Sequence, residues 1–130
     1  MSQNKKIVIA EDEPILIEMY KLYFERTGYE VLKAGNGREC INFVKKEKPD
    51  IILLDILMPK LDGWEVLKQL KTDPETKQIP ILVFSNLGQT QEIQKGLDLG
   101  ANDYVIKSNV TPKELLEKVE GMIKKINKTQ

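Results

Sequence analysis

Five short apolar runs recur along the chain, and each is followed by a stretch whose apolar residues fall at helical spacing. The runs are Ile7 to Ala10, Tyr29 to Ala34, Ile51 to Leu54, Ile81 to Phe84 and Tyr104 to Ile106, all bounded by turn residues or charge. A strand–helix unit repeated five times restricts the fold to an α/β sheet. Right-handed crossovers bring each strand back parallel to the last, and helices cover both faces. Runs one, three and four are continuously apolar, as strands buried on both faces are. The second run, Tyr29-Glu30-Val31-Leu32-Lys33-Ala34, mixes in polar residues and reads as a peripheral strand.

The helical stretches carry their own punctuation. Leu16, Met19, Tyr20 and Tyr23 form an i, i+3, i+4, i+7 stripe expected to face the sheet, and Cys40, Phe43 and Val44 repeat it in the second helix. Pro14 suits a first helical turn, and Gly28 stands where a C-terminal cap is needed. Trp64 is expected to pack within helix three. Thr111-Pro112-Lys113-Glu114 is a capping box with proline at the first helical position, ahead of Leu115, Val119, Met122 and Ile126.

A chain of 130 residues is sized for one domain, spanning 1–130 with its core at about 5–125. Twenty basic residues balance twenty acidic ones, so no overall positive field would hold nucleic acid or an anionic membrane. No apolar run approaches the roughly 20 residues a membrane helix needs. The lone Cys40 lies among apolar residues and suits a reducing cytoplasm. The absence of histidine removes the usual general base and the usual transition-metal ligand. Histidine chemistry, where needed, comes from a partner.

Parallel α/β sheets place their sites at the carboxyl ends of the strands, where winding reverses. Glu11-Asp12-Glu13 follows strand one and Asp55 follows strand three. In a flavodoxin-like, doubly wound five-stranded sheet of order 2-1-3-4-5, those strands are neighbours and Glu11, Asp12 and Asp55 converge. At about 4 Å and an effective dielectric near 20, each like-charge pair repels by about 4 kcal/mol, so a proton or cation must relieve the site. Oxygen-only donors favour a hard ion, with Mg2+ the expected one. Strand four ends at Ser85-Asn86 and strand five at Lys107. A hydroxyl and an ammonium beside a metal-bound carboxylate are what a transferring phosphoryl group needs. Read singly, Ser85 could be turn chemistry and Lys107 a solvated edge charge. Neither G-x-G-x-x-G after strand one nor G-x-x-x-x-G-K-[ST] anywhere is present, so the nucleotide cradles are missing.

Three stretches together carry a family resemblance: Ile7-Val8-Ile9-Ala10-Glu11-Asp12-Glu13-Pro14, Asp55-Ile56-Leu57-Met58-Pro59-Lys60-Leu61-Asp62-Gly63, and Gly100-Ala101-Asn102-Asp103-Tyr104-Val105-Ile106-Lys107. In that order and spacing the chain resembles the receiver domains of bacterial response regulators, from about Lys5 to about Lys125. The resemblance implies that Asp55 is the phosphoacceptor and that a separate histidine kinase or phosphotransfer protein supplies the phosphoryl group. It implies Asp12 as a direct magnesium ligand, Glu11 through water or at longer reach, and the Leu57 backbone carbonyl as another. Ser85 and Lys107 would contact the phosphoryl oxygens, and Tyr104 would turn inward as a coupled switch. The surface near helix four, strand five and helix five would change toward an unknown protein target or output domain.

This chain departs from the family pattern in two places. Lys107 is followed by Ser108 where many receivers have proline, and Glu11 replaces a common aspartate. Leu57 and Leu87, each two residues past Asp55 or Ser85, are apolar and are expected to limit water's access to an acyl phosphate. The tail from Lys124 to Gln130 is too short and polar for an output domain, which fits either a stand-alone regulator or part of a larger one. The rival reading is a pseudo-receiver that binds partners without phosphorylation. A free-standing hydrolase is disfavoured, because nothing forms an evident specificity lid.

Overall fold

A computed structural model describes residues 5–128, with side chains to residue 126. Strands β1 (Lys6–Ala10), β2 (Glu30–Ala34), β3 (Ile51–Leu54), β4 (Ile81–Ser85) and β5 (Asp103–Ile106) alternate with helices α1 (Pro14–Arg26), α2 (Gly37–Glu47), α3 (Gly63–Thr72), α4 (Thr90–Asp98) and α5 (Pro112–Lys128). All pairings are parallel, in the order β2-β1-β3-β4-β5. The doubly wound order read from the sequence is therefore the observed one, and every strand boundary lies within one residue of its expected place.

Strand alternation divides the core into two layers. Ile7, Ile9, Ile51, Leu53, Leu82 and Phe84 pack with α1 and α5 through Ile17, Phe24, Leu115 and Val119. Val8, Ala10, Ile52, Leu54, Ile81 and Val83 pack on the opposite face with α2 and α3 through Cys40, Val44, Val66 and Leu70. Burial raises the Cys40 thiol to about 12, which keeps it neutral and inert at physiological pH.

Two helix stripes differ from expectation. In α1 the buried residues are Ile17, Tyr20 and Phe24; Leu16 and Tyr23 only flank the core and Met19 is exposed. Apolar residues ring most of this helix, and Phe24 fills more of the layer than Met19 could, so the larger ring sets the rotation. In α5, Ile123 is buried with Leu115 and Val119, while Met122 lies at the layer's margin. Trp64 packs at the edge of the α2/α3 layer, with the Lys95 ammonium 4.5 Å above its ring.

The caps behave as read. Thr111 Oγ1 accepts from Glu114 N–H at 3.1 Å while Glu114 Oε1 accepts from Thr111 N–H at 2.8 Å, a closed capping box. Pro14 opens α1, and Gly28 takes φ +100° where the chain turns into β2. No cis peptide bond occurs among the described residues, Lys107–Ser108 included.

Gly37 marks the closest approach in the fold, since a Cβ there would stand 2.0 Å from the Leu61 carbonyl oxygen, a backbone atom that cannot step aside. Gly121, inside α5, has nothing within 4 Å of its ideal Cβ. Gly37→Ala should therefore lower unfolding free energy by about 1–3 kcal/mol or more through overpacking. Gly121→Ala should raise it by up to about 1 kcal/mol through helix propensity. Urea denaturation of both variants beside the wild type checks the opposite signs.

Candidate functional site

The extended backbone of β1 and β3 runs on past the last paired residues, with Glu11 N–H donating to Ala34 O and Asp55 N–H to Ala10 O, each at 3.0 Å. Strand parity then decides direction. Glu11 follows Ile7 and Ile9, Asp55 follows Ile51 and Leu53, and Lys107 follows Val105; all share the α1/α5 side. Ser85 follows Val83 and belongs to the other side. The strand ends thus bring Glu11, Asp55 and Lys107 to one point and set Ser85 across from them.

The charges meet as that parity requires. Lys107 Nζ donates to Asp55 Oδ2 at 2.8 Å and to Glu11 Oε1 in a very short contact. Glu11 and Asp55 are 4% and 6% exposed, so both carboxylates are buried, whereas Asp12 is exposed. Ligand atoms of Glu11, Asp12 and Asp55 lie within 4.8 Å of one another. The other Asp55 oxygen accepts from Leu57 N–H at 3.2 Å, and Glu11 Oε2 accepts from Glu13 N–H at 3.0 Å. Gly63 lets α3 start against this loop, because a Cβ there would lie 2.5 Å from the Asp55 carbonyl oxygen.

Burial raises the Glu11 pKa above the ordinary carboxylate value even though Lys107 and the Glu13 amide pull it down. Burial also works against the Lys107 ammonium, but hydrogen bonds to Asp55 and Glu11 outweigh it and leave the pKa raised. Each charge has a hydrogen-bonded opposite charge within the same buried point, which offsets part of the cost of burying it.

Ser85 is fully buried, and its Oγ accepts from Leu87 N–H at 3.3 Å. The Tyr104 hydroxyl donates to the Leu87 carbonyl. The Tyr104 ring is half-buried against α4, where a Cβ on Gly96 would come within 2.9 Å of it. Leu57 is 58% exposed at the mouth, and Leu87 is half-buried. Sequence reading did not anticipate the direct Lys107–Glu11 pair, or the Asn86 side chain that accepts from Ser108 N–H at 3.2 Å. The signal for the first was present, since Glu11 and Lys107 share strand parity.

Three carboxylates with no nitrogen or sulfur donor form a set suited to a hard divalent cation such as Mg2+. Asp12, Asp55 and Glu11 would hold it, and no other such acidic cluster is found among the described residues.

Residues 7–120 match the family model described as response regulator receiver domain. The chain is 37% identical over 122 residues to the alkaline phosphatase synthesis transcriptional regulatory protein PhoP of Bacillus subtilis, covering 94% of this chain and 50% of that protein. It is 34% identical over 128 residues to the probable transcriptional regulator ycf27 of Guillardia theta, covering 98% and 49%. The chain spans about half the length of the curated relatives it matches. Among solved structures, a CheY-like response regulator receiver domain protein from Methanospirillum hungatei superposes with a TM-score of 0.91 at 26% identity, covering 99% and 100% of the two chains. The receiver domain of the Francisella response regulator 1452 gives 0.86 at 30%, covering 94% and 98%.

Removing the shared cation tests the electrostatic arrangement without any ligand. Lys107→Met leaves Glu11 and Asp55 facing each other in a buried site and should cost about 3 kcal/mol at neutral pH. Without Lys107 the Glu11 pKa rises further above its unfolded value. A raised carboxyl pKa removes stability as pH climbs from the unfolded value through the folded one. The variant's deficit should therefore be smaller at about pH 5 than at about pH 7.5, measured by urea unfolding of both proteins.

Proposed function

The chain belongs to the response regulator receiver family, and from that membership we propose that it is a phosphorylation switch in which Asp55 accepts a phosphoryl group from a phosphohistidine on a separate protein. The observation that carries this reading is the buried Asp55 carboxylate with Lys107 Nζ at 2.8 Å and two further carboxylates within 4.8 Å. A phosphorylation-independent binding module has no use for charges buried at that cost.

An Asp55 oxygen attacks phosphorus in line, the bond to the donor imidazole breaks, and the imidazole leaves while an acyl phosphate forms on Asp55. Asp12, Asp55, Glu11 and the Leu57 carbonyl would hold a Mg2+ ion, which would supply charge neutralisation to the transferring phosphoryl oxygens. Lys107 exchanges its Asp55 contact for a phosphoryl oxygen and keeps its charge beside the group throughout. Ser85 donates its hydroxyl to a second oxygen.

Ser85 and Tyr104 both hold the Leu87 peptide, one at its N–H and the other at its carbonyl. A Ser85 hydroxyl that turns toward the phosphoryl group draws on that peptide, and Tyr104 and α4 follow. The face of α4, β5 and α5 is therefore the readout surface, biased between existing states by the covalent charge. Its recipient is a protein target or attached output domain of the kind the relatives' names as transcriptional regulators suggest. The receiver itself, with balanced charge, is not the nucleic-acid contact. A phosphohistidine donor of this kind places its action in the cytoplasm; separately, no helix among the described residues is long and apolar enough to cross a membrane.

Incubation with acetyl phosphate and Mg2+, read by intact mass, should add one phosphoryl group to the wild type and none to Asp55→Asn. Labelling that persists in the Asn variant removes Asp55 from the role. Leu57 and Leu87, whose amides bond to Asp55 and Ser85, offer no polar side chain to orient an attacking water. Leu57→Asn should shorten the phosphoryl lifetime by about tenfold by orienting that water, followed by loss of the phosphorylated mass with time.

A further inference from the structure

Two aromatic rings close the site from the α1 side. Phe84 is the last residue of β4 to face that side, 4% exposed, and Tyr20 reaches it from α1 at 7% exposed. Their centroids lie 5.3 Å apart with planes at 82°, an edge-to-face pair. Lys107 Nζ stands over the Phe84 ring, 5.9 Å from its centroid, within the range at which a ring face attracts an ammonium. Phe84 is paired in register with Val105, so the Lys107 stem, two residues on, leaves on the same face and passes this ring on its way to Asp55. The Tyr20 phenol, its pKa raised by burial, also feels both the Lys107 and Glu11 charges.

We infer that Phe84 and Tyr20 are positioning residues for Lys107, the ring face of Phe84 steadying the ammonium and the edge of the pair fixing that ring. The inference rests on the reading of Asp55 as phosphoacceptor. A lysine stem has four flexible carbons, and the ammonium must shift from a carboxylate oxygen to a phosphoryl oxygen without escaping to water. Glu11 holds it from one side during that shift, and the aromatic floor attracts it from below. Aliphatic residues at positions 84 and 20 would fill less of the layer between α1 and the sheet and would offer the cation no attraction, so the Lys107 dependence of the effect separates the two roles. The geometry thus gives these rings work beyond filling the core.

The test measures phosphorylation by acetyl phosphate with Mg2+ in Phe84→Leu and Tyr20→Leu, each made alone and in a Lys107→Met background. Phe84→Leu should slow the reaction about three- to tenfold in the presence of Lys107. It should add nothing in the Lys107→Met background, and Phe84→Tyr, which keeps the ring face, should restore the rate. Tyr20→Leu should show the same dependence on Lys107, while Tyr20→Phe should match the wild type. Equal slowing with and without Lys107 would mean ordinary core packing and overturn the inference. A second reading needs no phosphorylation: the ε-methylene proton resonances of Lys107, shifted upfield by the ring in the wild type, should move downfield in Phe84→Leu. Unchanged resonances overturn the inference as well. A wild type that takes no phosphoryl group defeats the functional reading instead, and the resonances still decide whether the ring positions Lys107. If Phe84→Leu does not fold, Tyr20→Leu and Phe84→Tyr carry the same comparisons.

Discussion

One buried ammonium, on Lys107, holds the carboxyl ends of three strands together. Glu11 comes from β1, Asp55 from β3 and Lys107 from the residue after β5, and they share two hydrogen-bonded ion pairs in a site almost closed to water. Each carboxylate there would be costly alone, and two side by side would repel by about 4 kcal/mol at 4 Å and an effective dielectric near 20. The lysine offsets both penalties at once, and the sheet can end in charge because of it. With Asp12 included, three carboxylates face one ammonium, which leaves two negative charges at the mouth. The resting site is therefore assembled but under-neutralised, a state that draws a cation.

The glycines serve this arrangement by letting backbone approach backbone. Gly63 brings the start of α3 against the Asp55 carbonyl, and Gly37 brings α2 under Leu61. The loop from Asp55 to Asp62 is thus clamped between two helices, and its Lys60 accepts a left-handed φ of 68° as part of the same tight turn. Asp55 is then held by its main chain as well as by Lys107, so its carboxylate oxygens have few places to go. Preorganisation of this kind would lower the reorganisation needed in the phosphoryl transfer proposed for this site.

Patterning carried most of the fold from the residues alone, because short apolar runs bounded by turn residues and longer stretches of period 3.6 alternate five times. Runs such as Ile51 to Leu54 can only be buried on both faces, and that places β3 beside β1 at the sheet's centre. The rotation of α1 was less legible: Leu16, Ile17, Met19, Tyr20, Tyr23 and Phe24 offer more than one apolar stripe, and packing against Phe84 and Tyr29 selects the one with Phe24. Within the site, Glu11, Asp12, Asp55, Ser85 and Lys107 could be placed at strand ends from topology alone. The pairing of Lys107 with Glu11 was legible only through strand parity, which gathers Glu11, Asp55 and Lys107 on one side without saying which oxygens the ammonium takes. Phe84 and Tyr20 read as core in any sequence, because an aromatic ring facing a cation has the same pattern as one facing a leucine.

The hydrogen bonds already made at the site rank its carboxylates as cation donors. Glu11 has both oxygens engaged, one by Lys107 and the other by the Glu13 amide. Asp55 likewise gives one oxygen to Lys107 and one to the Leu57 amide. Asp12 has neither a hydrogen bond nor an ion pair among the described residues and stands exposed at the rim. A divalent ion reaching this site meets Asp12 at no cost in protein contacts. At Glu11 and Asp55 alike the ion would share oxygens that already serve the protein, each with a lone pair to spare. The longer side chain of Glu11 spends its extra carbon on reaching Lys107, so that one carboxylate places the ammonium and also stands among the three that would hold a cation.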